Sequence, residues 1–548
     1  MTLLEELIRA IELWLRIAKE QVPLVDPTLD PVLLVPGIAG SILEAVDEAG
    51  NKERVWVRIL AAEHEFREKL WSKFDASTGR TVSVNEKTRI VVPEDRYGLY
   101  AIDTLDPDMI IGDETVYYYH DMIVEMIKWG YQEGKTLFGF GYDFRQSNRL
   151  SETLDRFSKK LESVYTASGG KKINLITHSM GGLLVKCFVS LHSDVFEKYV
   201  KSWIAIAAPF QALLNGNFYL TKQPATGAPG YITTSLLNGM SFVEGWESKF
   251  FISKWCMQQL LLECPSIYEL LANPNFQWKD IPLLQIWREN LDSNGEKSAL
   301  LESYEPAEAI KMIEKALSSN EIIADGVHIA VPLNLDILTW AKETHDILSS
   351  AKLPESVEFY NIYGTDYDTP HTVCYGSKLH PVSNLSNLLY AQGDYVYVDG
   401  DGSVPTESAK ADGFNAVARV GVAADHRGIV CNHYVFRIVQ HWLHAGEPDP
   451  FYNPLNDYVI LPTSYEVEKH HEKCGDLTSV SEDWEIISPS DDKTMRPAEL
   501  PPMVSTLSAS REGKEGTLEE AKATVVVHPE NKGRQHVEVR AVGVSHGG

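Results

Sequence analysis

The sequence predicts an α/β fold: a mostly parallel sheet with helices on both faces. Short apolar runs of strand length recur along the chain, amphipathic helical patterns lie between them, and the runs end at Gly- or Pro-containing turns. PVLLVPGIAGS (31–41) reads as the first buried strand, because its apolar run stops at Pro36-Gly37 and enters a glycine-punctuated turn. LFGFG (137–141), INLITHS (173–179), WIAIAAP (203–209) and EFYNIYG (358–364) read the same way, with helical spacing in YHDMIVEMIKWGY and LSETLDRFSKKLESVY. Ahead of the first strand, Leu4, Leu7, Ile8, Ile11, Trp14, Leu15 and Ala18 mark the apolar face of an amphipathic helix within residues 1–30. From about 211 to 350, Gly/Asn-rich turns, an aromatic stretch from Trp246 to Met257 and further helices break the alternation, which reads as a cap inserted above the sheet. From about 466 to 548 Glu, Lys, Ser and Pro dominate, the composition of a largely mobile acidic tail. Within it, ATVVVHPENKGRQHVEVRAVGV alternates about a turn as a hairpin would.

The composition excludes several classes of function. Among 548 residues, 50 Lys+Arg against 77 Asp+Glu give 50 − 77 = −27 formal charges. Phosphate backbones require clustered cations, so nucleic acid is not an expected partner, and docking on strongly anionic membranes is disfavoured. Six scattered cysteines do not make a disulfide scaffold and point to a reducing, cytoplasmic compartment. The first twenty residues lack a basic leading segment, and Glu5, Glu6, Arg9, Glu12 and Arg16 interrupt every apolar run. Neither a signal peptide nor a transmembrane segment is expected there.

The chemistry concentrates at INLITHSMGG (173–182), where a buried strand ends at Thr177-His178 and a small-residue helix starts directly after Ser179-Met180. That is the setting of a nucleophile elbow, a turn so tight that small residues are needed two positions either side of the serine. Gly181 meets the requirement, whereas Thr177 replaces the usual first glycine. A nucleophilic Ser179 needs an acid and a base downstream, in that order. VYVDGDGSVPTES (396–408) offers Asp399 and Asp401 just beyond a short strand, and the residue pattern alone leaves both open. A calcium-loop reading of D-x-D-G fails, because the sixth position is Val404 and the twelfth Lys410. Among His426, His433, His441 and His444, His426 is preferred, since it precedes the helical pattern where a loop base would sit. One oxyanion amide should come from Met180, the residue after the nucleophile, and the other from VPGIAGS, with Ile38 the choice within it.

PVLLVPGIAGSILEA, FGFGYDFR, THSMGGL, AIAAPFQ, DGDGSVP and DHRGI occur in this order across residues 31–430. With that ordered set the chain resembles the lecithin:cholesterol acyltransferase family, in particular its soluble plant phospholipase A members. The resemblance implies an α/β-hydrolase fold over 31–465, a triad of Ser179, Asp401 and His426, an oxyanion amide from Ile38, and support rather than chemistry from Tyr142, Asp143 and Arg145. It further implies a lid over about 41–100. This segment contains no cysteine to fasten the lid as secreted members do, which speaks against secretion. Trp56 and Trp71 there, and Trp246 and Trp255 in the cap, are candidate lipid contacts.

The expected activity is that of a serine phospholipase A using no metal or other cofactor. It would act on glycerophospholipids such as phosphatidylcholine at a membrane or vesicle surface through peripheral contact only. The alternatives are transfer of the acyl group to a sterol or diacylglycerol, and a non-catalytic lipid-binding protein on the same fold.

Overall fold

A computed structural model describes residues 25–446 apart from 58–68, 86, 109–115, 211–227, 240–253, 273–277, 292–296 and 325–326, together with the strand backbones of 503–512, 518–529 and 535–546. The N-terminal amphipathic pattern lies outside the described residues.

Six parallel strands form the central sheet: β1 (Val32–Val35), β2 (Leu137–Gly139), β3 (Ile173–His178), β4 (Val200–Ile206), β5 (Glu358–Thr365) and β6 (Ala418–Ala423), in the spatial order β6-β5-β4-β3-β1-β2. The five apolar runs of the sequence supply the first five. Successive side chains point to opposite faces, so a sheet covered on both sides needs apolar residues at nearly every position. In β1, Leu33 and Val35 join one core while Val32 and Leu34 join the other. In β4, Trp203 and Ala205 face the first core and Ile204 and Ile206 the second.

Helices close both faces. Ser151–Ala167 buries Leu154, Phe157, Leu161 and Val164 against the first core, the stripe its i, i+3, i+4 spacing dictates. On the opposite face His120–Lys128 buries Met122, Ile123 and Met126, and His433–Leu443 buries Val435, Ile438 and Val439. The helix Gly181–Leu191, directly after β3, is buried along nearly its whole length, which is why its sequence carries no polar face. This is the α/β-hydrolase architecture.

Residues 43–46, 52–56 and 89–91 form a small antiparallel sheet beside the main one, and 72–75 pairs with 80–83. Above the sheet, Leu284–Leu291 and Lys297–Tyr304 join Tyr367–Tyr375 and Gly393–Gly400 in one four-stranded sheet. The cap is therefore assembled from two excursions, one between β4 and β5 and one between β5 and β6. Among the described residues no helix is long and apolar enough to cross a membrane. Met503–Glu512, Leu518–Pro529 and Gln535–His546 make a three-stranded antiparallel sheet in a unit separate from 26–486.

Trp203 is the hub of the first core. It is fully buried, and its ring centroid lies 5.0 Å from Phe359, 5.6 Å from Phe414, 5.7 Å from Phe210 and 6.2 Å from Phe196. Its Nε1–H donates to Thr177 Oγ1 at 3.0 Å. Trp203→Ala is expected to destabilise the domain by about 3–5 kcal/mol, read as a lower urea midpoint. A loss below about 1 kcal/mol would show that the surrounding aromatics close over the gap.

Candidate active site

Ser179 sits one residue past β3 with φ of 54°, in the left-handed region that non-glycine residues rarely occupy. Its N–H donates to the Ile206 carbonyl at the end of β4 (2.9 Å), so the neighbouring strand holds the turn. The crowding explains the glycines: a Cβ on Gly181 would lie 2.4 Å from the Pro36 carbonyl oxygen, and one on Gly37 would lie 2.6 Å from Ser179 Cβ. Thr177 fits where a glycine is usual because its side chain is fully buried on the Trp203 side, where its hydroxyl accepts the indole N–H.

Ser179, His426 and Asp401 converge on one hydrogen-bonded line. His426 Nε2 is 2.9 Å from Ser179 Oγ, and His426 Nδ1 is 2.7 Å from Asp401 Oδ2. A carboxylate only accepts, so Nδ1 carries the hydrogen and Nε2 presents its lone pair to the serine hydroxyl. The other Asp401 oxygen accepts the N–H groups of Ser403 (3.0 Å) and Val404 (2.7 Å), and the Asp401 carbonyl accepts the His426 N–H (2.7 Å). Backbone and side chain thus register the acid loop and the base loop together. Burial pulls the His426 pKa down, but the Asp401 charge and its hydrogen bond outweigh burial and leave it above the ordinary histidine value.

The two open carboxylates separate by contact. Asp399 faces away, accepting the Asp366 N–H at 2.7 Å and the Thr406 hydroxyl at 2.9 Å, and serves as a turn brace. His433, His441 and His444 lie on the 433–443 helix and its C-terminal cap, away from this line. Neither the Ile38 nor the Met180 N–H has a hydrogen-bond partner among the described residues. Gly37 lies close to the serine hydroxyl, and Met180, the residue after Ser179, is the N-cap of the buried helix, whose N-terminus carries the positive end of its dipole. Two free amides beside a base-paired hydroxyl can stabilise a tetrahedral oxyanion as it forms.

The lipid-contact tryptophans fare differently. Trp56 is a core residue, which corrects its reading as a lipid contact: it is 2% exposed, meets Phe144 edge-on at 5.4 Å and donates its Nε1–H to the Ala39 carbonyl at 2.9 Å. Trp71 is half-buried. Trp246 lies outside the described residues, and Trp255 is on the helix Lys254–Leu261, its side chain outside the description. Tyr142 and Arg145 are buried, and Arg145 clasps Asp143 through Nε (2.8 Å) and a terminal nitrogen (2.7 Å) while donating to the Leu70 carbonyl. Among the described residues no three metal-ligating side chains cluster. Two residues touching the site went unread in the sequence, Tyr118 and His178. Tyr118 lies far from every motif and gave no signal, whereas His178 was visible as the serine's neighbour.

Residues 55–216 match the family model for lecithin:cholesterol acyltransferase. Over 548 residues the chain is 60% identical to "Lecithin-cholesterol acyltransferase-like 4" of Arabidopsis thaliana, covering 99% of both chains. It is 48% identical to "Phospholipase A(1) LCAT3" of the same plant over 418 residues, 76% of this chain and 90% of that one. It is 24% identical to the human "Lysosomal phospholipase A and acyltransferase" over 301 residues, 50% of this chain and 70% of the relative.

Asp401→Asn is expected to lower kcat on a short soluble ester by about 10⁴, because the amide reverses the imidazole tautomer. Asp399→Asn should leave kcat within several-fold, and the opposite ranking would transfer the acid role to Asp399. Only neutral His426 can take the serine proton, so activity should fall with acidification through its raised pKa. The acid limb of the kcat/KM profile should therefore have its midpoint above 6.5, the ordinary histidine value. A midpoint below that would contradict the electrostatic balance at His426.

Proposed function

Because the chain belongs to the lecithin:cholesterol acyltransferase family, we propose that it is a serine-dependent phospholipase A acting through Ser179, His426 and Asp401. The observation that carries this is the unbroken Ser179–His426–Asp401 hydrogen-bond line at 2.9 and 2.7 Å. His426 Nε2 takes the hydroxyl proton as Ser179 Oγ attacks the acyl ester carbonyl of a glycerophospholipid. Asp401 holds the tautomer and stabilises the imidazolium. The carbonyl oxygen becomes an oxyanion held by the Ile38 and Met180 amides. Collapse expels the lysophospholipid alkoxide, which takes the proton from His426, and leaves the acyl group on Ser179. Water, deprotonated by the same histidine, then releases a fatty acid.

An alcohol in place of that water gives acyl transfer by identical steps. This second reading is supported by the human relative, whose name carries both activities. The four described cysteines Cys187, Cys264, Cys374 and Cys431 are all unpaired, which supports a cytoplasmic location. With −27 formal charges, zwitterionic surfaces suit the enzyme better than anionic ones.

The test is product analysis on phosphatidylcholine vesicles, with and without a long-chain alcohol. Wild type should release fatty acid and lysophospholipid, and Ser179→Ala should release neither while keeping the wild-type melting temperature. Acyl ester appearing at the expense of free fatty acid would make transfer the principal activity. Turnover retained in Ser179→Ala would overturn the nucleophile assignment.

A further inference from the structure

We propose that Tyr118 and His178 are positioning residues, a second hydrogen-bonded line that ties the oxyanion turn to the loop bearing the general base. This rests on the reading of Ser179 and His426 above. The Tyr118 hydroxyl accepts the Gly37 N–H at 2.7 Å and lies 2.5 Å from His178 Nδ1, and His178 Nε2 lies 2.9 Å from the His426 carbonyl oxygen.

Every proton on this line has a determined place. A carbonyl only accepts, so His178 Nε2 must carry a hydrogen. Burial, with the neighbouring His426 charge, keeps the ring neutral, so Nδ1 is bare. The Tyr118 O–H therefore donates to Nδ1, leaving its oxygen lone pairs for the Gly37 N–H. The chain reads Gly37 N–H to Tyr118 O–H to His178, and His178 Nε2–H to the His426 carbonyl. Each bond polarises the next in a buried setting.

The ends of this line are what give it a role. Gly37 precedes Ile38, whose amide is assigned to the oxyanion. His178 precedes Ser179. The His426 carbonyl belongs to the residue whose ring takes the proton. Three parts of the machinery come from the loops after β1, β3 and β6, and Tyr118 and His178 bridge all three without touching the ester. The tyrosine ring also packs against the turn, since a Cβ on Gly40 would be 2.5 Å from it. The titratable and charged groups facing His178 are Tyr118, His426 and Arg427.

A structural filler and a positioning line differ in kinetics. Tyr118→Phe keeps the ring and removes only the hydroxyl, and His178→Gln keeps an N–H donor for the His426 carbonyl while losing the Nδ1 acceptor. On a short soluble ester each should lower kcat by about 10–100-fold, as partners that orient a catalytic group do. KM and melting temperature should stay near wild type, and labelling by a fluorophosphonate should slow in step with kcat. Because the two act as one unit, the double variant should be no slower than the worse single one. Single-variant kcat within twofold of wild type, multiplicative losses in the double variant, or losses that track a lowered melting temperature would each overturn the proposal. Normal wild-type turnover and a dead Ser179→Ala protein beside such results would confine the failure to the relay. Activity surviving in Ser179→Ala would instead remove the reading on which the relay rests.

Discussion

The closeness of two backbones governs this molecule. Where the loop leaving β1 passes the turn leaving β3, no Cβ fits on Gly181 against the Pro36 carbonyl or on Gly37 against Ser179. The parallel register that pairs Val35 with Thr177 brings the two strand ends level, so both loops emerge at the same height. Ser179 takes a left-handed conformation in consequence, at a cost on the order of 1–3 kcal/mol, which the bond to Ile206 and burial of the following helix offset. Because neither loop can drift, the turn at Gly37 stays against Ser179, the fixed closeness that the proposed oxyanion amides of Ile38 and Met180 need.

Charge is used sparingly in the interior, and mostly to fix loops. Asp412 is fully buried, takes Arg419 through two nitrogens at 2.8 Å and accepts Asn361 at 2.8 Å, while its carbonyl accepts buried Lys186 at 2.8 Å. These partners come from β5, β6 and the helix after Ser179, so the cluster pins the chain between the acid loop at Asp401 and the base loop at His426. Losing one partner of such a buried pair leaves an uncompensated charge, at about 3–5 kcal/mol. Arg145 and Asp143 do the same after β2, spanning to the Leu70 carbonyl. A chain of −27 formal charges thus encloses an interior in which Arg145, Lys186 and Arg419 each have a partner.

The first five central strands were legible because a sheet covered on both faces writes itself as unbroken apolar runs. β6 was not, since ARVGVA carries Arg419, whose charge is matched by Asp412, a residue seven positions earlier and outside the strand. In the second cap excursion the strand leading to Asp399 was read from its alternation, whereas Tyr367–Tyr375 escaped because its buried and exposed positions do not alternate. Ser179 was legible from the strand–helix junction, and His426 from its place before a helix. Asp399 and Asp401 were indistinguishable by local pattern, because which carboxylate turns inward depends on the Ser403 and Val404 amides that fold back on one of them. Trp56 misled because an aromatic residue in a lid-like segment gives no hint of whether its indole faces lipid or an interior carbonyl. Tyr118 had no signature at all, being brought to Gly37 across 81 positions of sequence.

The indole of Trp56 also limits how freely the segment around it can be exchanged. Its strand belongs to the small sheet of residues 43–91, yet its Nε1–H reaches into the oxyanion turn and grips the Ala39 carbonyl, a residue itself held at φ of 58°. Surface segments of enzymes are usually treated as modules to be grafted between relatives to change substrate range. Here a graft that omitted this one donor would leave a strained carbonyl unheld one residue along the chain from Ile38, whose amide is proposed for the oxyanion. The segment and the turn therefore form a single heritable unit, and recombination breakpoints should respect it by falling before residue 37 or after residue 57, never between them.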